Sequence, residues 1–305
     1  MLELETRLLR YFLTIAHEHS LTRASEVLHV TQPNLSKQMK NLEAQCGQKL
    51  LLRSNHSIRL TEAGKKLLVY AQSIVRLSDQ AIASLQEPDL CMAGDVTVGC
   101  GESISIRYLA QAVRAVRAKY PGIRCHIISG DTQDLALDLQ RGNLDFAVIF
   151  EAVDPLRYDF FTVPAVDSYG VLMRKDDPLA AKSSITPLDL GEKPLICSRQ
   201  AYCVDLPRWF GKAYDQLNMI ATFNLNYNGT LMVREGIGYS ITFLGLSDIS
   251  ETSELCMRPM DPPLTCQSNV IWKLHSQLSP QAALLLAEYR AICENLTLQH
   301  QCAAP

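Results

Sequence analysis

Residues 31–43 read TQPNLSKQMKNLE: one proline, two lysines and three large apolar side chains. Thr31 is a suitable helix N-cap, and Pro33 falls in the first turn, where its missing N–H would lack an intrahelical partner anyway. Leu35, Met39 and Leu42 recur at i, i+4 and i+7 and draw one narrow apolar stripe. Everything off the stripe is polar or basic: Gln32, Asn34, Ser36, Lys37, Gln38, Lys40 and Asn41. Such side chains can read base edges or clasp phosphates. They also suit an ordinary solvated helix face, and on this segment alone that is the better reading. The surroundings decide.

Upstream, apolar residues at 4, 8, 9, 12, 13, 15 and 16 describe a first helix packed on one side. Ser20 caps a short second helix through TRASEVLHV, in which Ala24 and Ser25 are small enough to let another helix approach. A turn at His29–Val30 leads back to the opening segment. Helix, short helix, tight turn and polar helix form the helix-turn-helix order. Downstream, Gly47 ends the polar helix. KLLLR and SIRLT then read as two short strands, with Ser54, Asn55 and His56 at the tip between them. This is a β-wing that carries Arg53 and Arg59. Thr61 caps a long helix with Glu62 in its first turn, running to about Glu87, or ~39 Å at 1.5 Å per residue. Leu67, Ala71, Ile74, Ser78, Ala81 and Leu85 follow a 4-3 spacing, flanked by Leu68, Val75 and Ile82. With no globular partner so early in the chain, this stripe is expected to bury itself against a second copy. Pro88 ends the helix, and PDLCMAG reads as a hinge.

From Asp95 the texture changes to alternating strands and helices. DVTVGC is a strand, and SIRYLAQAVRAVRAKYP is a helix with Ile106, Leu109, Ala110, Val113 and Val116 inward. IRCHIISG, TQDLALDLQRG and LDFAVIF complete a βαβαβ pattern, which implies a parallel sheet. A second set starts at YGVLMRK and continues through PLDLGEKPLICS, DLPRWFGKAYDQL, ATFNLNY, NGTLMVREGIG and YSITFL. SNVIWKL and the helix SPQAALLLAEYRAICENL return to the first set. Two such lobes make a cleft into which the ends of parallel strands point.

The size, 305 residues, suits two or three domains, and 47% hydrophobic with 20% charged residues suits a globular protein. No basic start followed by an apolar run marks a signal peptide, and no uncharged stretch is long enough to span a bilayer; a cytoplasmic protein without membrane contact is expected. Its ten cysteines therefore read as reduced thiols, and none forms a C-x-x-C pair. The sequons at Asn228 and Asn295 and the tail Cys302-Ala-Ala-Pro305 carry no meaning there. The net charge of −3 hides an asymmetry: residues 1–66 hold ten Lys/Arg against six Asp/Glu, and the remainder nineteen against twenty-six. A basic N-terminal module on an acidic body fits a tethered nucleic-acid reader.

LTRASEVLHVTQPNLSKQMKNLEAQCGQKLLLRSNHSIRLTEAG resembles the DNA-binding region of LysR-type transcriptional regulators. RGNLDFAVI, KDDPLA, PLDLGEKPLI and MVREGIGYSI look like the effector domain of the same family, so the resemblance spans about residues 4–295. It implies an α+β multidomain chain. A winged helix-turn-helix would occupy 1–61 and a linker and dimerisation helix 62–89. A two-lobed effector domain like a periplasmic solute-binding protein would occupy 90–305, with lobe I about 93–163 and 268–300 and lobe II about 164–267. It also implies homodimers or homotetramers on pseudo-palindromic promoter sites. Carried onto this sequence, Gln32, Pro33, Ser36 and Lys37 would meet bases and Arg53 a phosphate, with Asn34, Lys40, His56 and Arg59 beside them. Ser25 stands where the family usually has alanine, and Leu51 where it has phenylalanine; both read as packing changes.

For the cleft, the loop Gly99–Ser103 precedes a helix expected to start near Ile104, and backbone N–H groups at such a start favour anions. By the resemblance Ser103 is the prime effector contact, flanked by Cys100 and Glu102, with Thr132 opening the next helix. Ser198, Tyr202, Tyr227 and Asn228 would face them from the second lobe. Each of these also reads as a simple N-cap or turn residue. A small polar or carboxylate metabolite is the expected effector, although Glu102 already brings negative charge to that helix end. No further cofactor is expected. An enzyme would need a motif that is missing: there is no G-x-S-x-G, no Gly-rich fingerprint after a strand and no convergent His/carboxylate set, and His17-x-His19 reads as surface. Two alternatives stay open. One is a cytosolic solute-binding protein, which leaves the N-terminal module unexplained. The other is a thiol sensor using Cys197, Cys203 and Cys100, as some family members sense peroxide through two cysteines in this region; here Arg199 is the nearest cation in sequence to Cys197.

Overall fold

A computed structural model describes residues 4–53, 58–85 and 92–302. The chain divides near residue 90 into two compact units, each with its own core.

The first unit begins with α1 (Thr6–Glu18), α2 (Leu21–Val27) and α3 (Gln32–Cys46). Leu8, Leu9, Phe12 and Ile15 of α1 are buried against Leu35, Met39 and Leu42 of α3. Each such side chain contributes about 1.5–3 kcal/mol by leaving water. Ser20 caps α2, its hydroxyl accepting from the Arg23 N–H at 3.4 Å. Ser25 is buried as an alanine would be, and its hydroxyl donates to the Thr22 carbonyl at 2.7 Å, so the extra polar atom is satisfied. Thr31 differs from expectation. It occupies the extended N-cap conformation, but its hydroxyl makes no capping hydrogen bond, and Pro33 in the first turn does the entry work through its fixed φ. Gly47 ends α3 at φ +65°.

The wing is β1 (Leu51–Arg53) paired antiparallel with β2 (Ile58–Leu60), Arg53 opposite Ile58. Its tip, with His56, lies outside the described residues. Thr61 caps α4 (Glu62–Leu85), accepting from the Gly64 N–H at 2.9 Å and donating to the Lys49 carbonyl at 2.7 Å. Gly64 has to be glycine, because a Cβ there would sit 2.2 Å from the Leu50 carbonyl oxygen.

The stripe on α4 behaves differently from its sequence reading. Leu67, Leu68, Ala71 and Val75 are covered within the same chain, packed on the helix-turn-helix core alongside α1. The apolar face of α1 is wider than α2 and α3 cover, and α4 fills the remainder. Tyr70, Ile74, Leu77 and Ile82 stay exposed on another side of the helix.

In the second unit, β3 (Gly94–Cys100), α5 (Ile106–Lys119), β4 (Ile123–Ser129), α6 (Thr132–Arg141) and β5 (Phe146–Ile149) form the expected βαβαβ lobe, with β3 parallel to both β4 and β5. Two readings of α5 change. It starts at Ile106 rather than near Ile104, and it buries Leu109, Ala112 and Val116 while Ala110 is exposed. A lone alanine carries too little hydrophobic signal to orient a helix face.

Next comes β6 (Tyr158–Arg174), a single strand of 17 residues, then α7 (Pro187–Leu190) and β7 (Leu195–Ser198). The stretch 201–216 is divided into a wide turn at Ala201–Asp205, α8 (Leu206–Phe210) and a 3-10 stretch Gly211–Gln216, the last two parted where Gly211 takes φ +55°. Then follow β8 (Met219–Phe223), α9 (Asn226–Arg234), β9 (Tyr239–Phe243), β10 (Leu255–Pro259), β11 (Thr265–Lys273) and α10 (Pro280–Cys302). The strand order is β4-β3-β5-β11-β6-β9-β7-β8, with β10 added on β6.

The sheet is mixed rather than parallel throughout. Strands β7, β8 and β9 are mutually parallel, as are β3, β4 and β5, but β6, β10 and β11 run antiparallel to their neighbours. Lobe I ends and lobe II begins inside β6, which pairs with β11 over Tyr158–Ser168 and with β9 over Tyr169–Leu172. The ladder breaks register between Gln267 and Asn269, a bulge at the crossing.

Candidate functional sites: a polar helix face and an interlobe cleft

On α3 the apolar stripe is wholly inside, which leaves Gln32, Pro33, Asn34, Lys37, Lys40 and Asn41 exposed and Ser36 and Gln38 half-buried. Among the described residues no carboxylate pairs with Lys37 or Lys40, so both ammonium groups are available to an outside anion. Gln38 leans back on Asn34, donating from Nε2 at 3.5 Å. Arg59 is exposed on β2, while of Arg53 only the backbone in β1 is described.

One residue that matters here escapes a sequence reading. Glu43, on the buried side of α3, is only 7% exposed. Its Oε1 accepts from the N–H groups of Leu50 and Leu51 at 3.0 and 3.2 Å, and its Oε2 accepts from Lys49 Nζ at 2.7 Å. Burial pushes the carboxyl up, but Lys49 and the two backbone donors outweigh it and hold it below the usual glutamate value. Glu43 thereby fastens the wing to the polar helix. A glutamate following an apolar position on a helix carries no mark of this in sequence.

The cleft lies between lobes of the second unit. Gly101 and Glu102 line it from the loop after β3, Asp131 from the start of α6, Ser198, Arg199 and Gln200 from the end of β7, and Asn224 and Asn226 from the start of α9. Phe150, Tyr169 and Phe243 floor it, with the Tyr169 and Phe243 rings 4.4 Å apart. About 60 Å³ is open to the centre of a water-sized sphere, room for a molecule of a few heavy atoms.

Charge in the cleft is lopsided. Glu102 and Asp131 are its carboxylates, and Arg199 is its one cation among the described lining residues. Arg199 is already engaged: Nε donates to Asp131 at 2.6 Å, and Nη2 donates to Asp131 and, at 2.8 Å, to Asp134. Behind the lining, burial followed by repulsion from Asp131 and Asp205 raises the Glu151 carboxyl, and burial raises that of Asp205. A carboxylate arriving here would find no uncommitted positive side chain.

The predicted cleft residues are dispersed. Glu102 and Ser198 line the cavity. The Ser198 hydroxyl caps the following turn, accepting from the Ala201 N–H at 3.0 Å. Ser103 is buried, and its hydroxyl is spent on Asp167 at 2.6 Å in a serine cluster with Ser105 at the lobe crossing. Thr132 is buried and donates across the cleft to Gln200 Oε1 at 3.0 Å. Cys100 belongs to the lobe I core and Tyr202 packs on Tyr214 at 5.4 Å. Tyr227 and Asn228 are exposed in the first turn of α9, and Asn224 and Asn226 take the cleft positions instead. The run Asn224-Leu-Asn226 alternates toward the cleft, a period-2 signal present in the sequence.

The thiols are set against reactivity. Burial pushes the Cys197 thiol up to about 12 and that of Cys100 to about 11. Cys197 is wholly buried with its Sγ 3.7 Å from the Met219 sulfur, whereas Cys203 is exposed. Among the described residues no group of His, Cys, Asp and Glu is disposed to hold a metal ion, and no helix is long and apolar enough to cross a membrane.

Comparison with known proteins covers both units. Residues 6–65 match the family described as bacterial regulatory helix-turn-helix protein, lysR family, and residues 92–294 match the LysR substrate binding domain. The nitrogen assimilation regulatory protein nac of Escherichia coli is 35% identical over 292 residues, 90% of this chain and 91% of that protein. An uncharacterised HTH-type regulator of Bacillus subtilis, YvbU, is 26% identical over 83% of this chain and 87% of its own. Among solved structures, full-length CbnR complexed with its target DNA covers 95% of this chain and all of its own at a TM-score of 0.71 and 19% identity. A full-length OxyR variant from Pseudomonas aeruginosa covers 95% of each chain at a TM-score of 0.64 and 23% identity.

Proposed function

This chain belongs to the LysR family of DNA-binding transcriptional regulators, and from that premise we propose that it reads promoter DNA with the exposed face of α3 and answers to a small molecule held between the lobes of its second unit. The observation that carries the first half is the division of α3 into a fully buried stripe and a face bearing two free lysines among amides. In a major groove, Lys37, Lys40 and the wing arginines Arg53 and Arg59 supply the salt-dependent attraction to phosphate, and Gln32, Asn34 and Ser36 supply base preference. Two copies are needed for a pseudo-palindrome, with half-sites ~34–36 Å or a multiple apart. The exposed Tyr70, Ile74, Leu77 and Ile82 of α4 provide the apolar face that joins them. Pairing of dimers into tetramers follows the family pattern.

The cleft supports an effector that is small, polar and neutral in preference to a carboxylate, because its single arginine is consumed by Asp131 and Asp134. No further cofactor and no catalytic step belong to this reading, and the protein acts in the cytoplasm, where its promoter is. The raised thiols of Cys100 and Cys197 give the peroxide-sensing alternative no support. Quantitative footprinting on promoter fragments tests the docking. Lys37→Ala is expected to weaken specific binding by ~1–3 kcal/mol and to flatten its salt dependence. Unchanged affinity in that variant removes α3 from the groove.

A further inference from the structure

Helix α9 has no cap of its own. Its N-cap position is Leu225, whose side chain offers no acceptor, although the residue adopts the extended conformation typical of that position. The first helical N–H, that of Asn226, is met instead from the opposite lobe: Glu102, 124 residues away on the loop after β3, places Oε2 on it. The Asn226 side chain is 4% exposed and held by the Leu246 carbonyl at 3.2 Å and Ser247 Oγ at 3.0 Å, which fixes the direction of its backbone N–H. The loop that delivers Glu102 packs closely on the cleft floor, where a Cβ at Gly101 would come within 2.7 Å of the Phe150 ring. Two other contacts close the same gap, Thr132 to Gln200 and Arg199 to Asp131 and Asp134. A carboxylate on the amino end of a helix is where an anionic ligand would be stabilised by the dipole and the open N–H groups.

We propose that Glu102 is the cleft's own carboxylate ligand: it occupies from lobe I the anion-accepting end of α9 in lobe II, ties the lobes together, and excludes free carboxylates from that position. The proposal rests on the reading of the cleft as the effector site and gives that site its selectivity. Small carboxylates, which the amino end of α9 would otherwise welcome, are competitors that the chain has already displaced by an intramolecular group of far higher effective concentration. An effector then acts either beside Glu102 or by levering it off Asn226.

The test uses the full-length protein and acetate as the probe. Calorimetry is expected to detect no acetate binding to the parent protein. Glu102→Ala, which vacates the position, is expected to bind acetate at least roughly tenfold more tightly, the worth of one charge-assisted hydrogen bond. Glu102→Gln keeps an amide oxygen on the Asn226 N–H and is expected to show no gain. Acetate bound equally by parent and Glu102→Ala, or no gain in Glu102→Ala, or an equal gain in Glu102→Gln, overturns the proposal. Should Glu102→Ala fail to fold, hydrogen exchange in the parent decides alone: the Asn226 amide is expected to be protected without any added ligand, and exchange at the rate of an unstructured peptide overturns it. None of these readouts involves DNA. Failure of promoter binding with these results intact therefore strikes the proposed function and leaves the Glu102 contact standing.

Discussion

Replacing Glu43 separates two roles that its position combines, that of an acceptor for backbone N–H groups and that of a charge. Glu43→Ala strips the buried amides of Leu50 and Leu51 of their acceptor, at ~1–3 kcal/mol for each unmet donor. It also leaves a gap between α3 and the wing, so a loss of ~2–5 kcal/mol is expected. Glu43→Gln keeps an oxygen for the same two amides and gives up only the pairing with Lys49, a lysine 75% exposed whose bond is screened by water; ~1 kcal/mol or less is expected. Both tryptophans, Trp209 and Trp272, lie in the second unit. Tryptophan fluorescence therefore follows that unit, while far-ultraviolet circular dichroism follows both. In thermal scans the alanine variant is expected to lose roughly 10 °C or more in an early dichroism transition while the fluorescence midpoint stays put, at ~4–8 °C per kcal/mol for a domain of this size. Because the carboxyl is held below its ordinary value in the folded unit, the charge-dependent share is present at neutral pH. It fades as pH drops from the ordinary glutamate value through the lower folded one. Equal losses for alanine and glutamine would refute the reasoning, since they would make the charge, and not the acceptor, the fastening.

Two further outcomes test other parts of the molecule. Leu77→Glu puts a charge on the exposed apolar face of α4 and is expected to convert a dimer into monomer in sedimentation velocity, each buried apolar side chain being worth ~1.5–3 kcal/mol and counted twice by symmetry; a dimer that tolerates the change places the interface elsewhere. With iodoacetamide at pH 8, Cys203 is expected to label in the folded protein while Cys197 stays unmodified, since a thiol pushed up to about 12 is ionised to roughly one part in ten thousand at that pH; labelling of both at one rate means that Cys197 is neither buried nor neutral.

The first unit was largely legible because its elements are local. Periodicity over Leu8 to Ile15 and over Leu35 to Leu42, a serine before α2, a glycine after α3 and a threonine before α4 are local signals and all are present; the expected Thr31 cap alone makes no bond. What escaped is what joins elements distant in sequence. The stripe on α4 reads as a dimer seam because sequence shows its width and not its neighbour. Half of it turns inward because α1 presents more apolar surface than the other two helices cover. Glu43 fails to stand out for the same reason, and for Glu102 the sequence shows a charge in the cleft loop but not the helix it meets. A carboxylate that satisfies backbone N–H groups has no partner residue type to betray it, so neither contact leaves a motif in the chain.

The cleft extends the point. Its expected residues are hydroxyls and loop side chains able to hold a ligand, and the fold spends most of them internally. Ser103 goes to Asp167, Thr132 to Gln200, and the Ser198 hydroxyl to its own turn. A polar residue near a strand end has two uses, to bind an outside group or to satisfy the fold, and for these three hydroxyls the fold comes first, because an unmet buried polar atom costs more than a made bond returns. Of the amides facing the cavity, Gln200 is already engaged by Thr132, which leaves Asn224 as the side chain without such a commitment among the described residues. Selectivity in such a site comes less from the residues that could attract a ligand than from those already committed. Arg199 bound to two aspartates and Glu102 seated on α9 decide which charges are turned away.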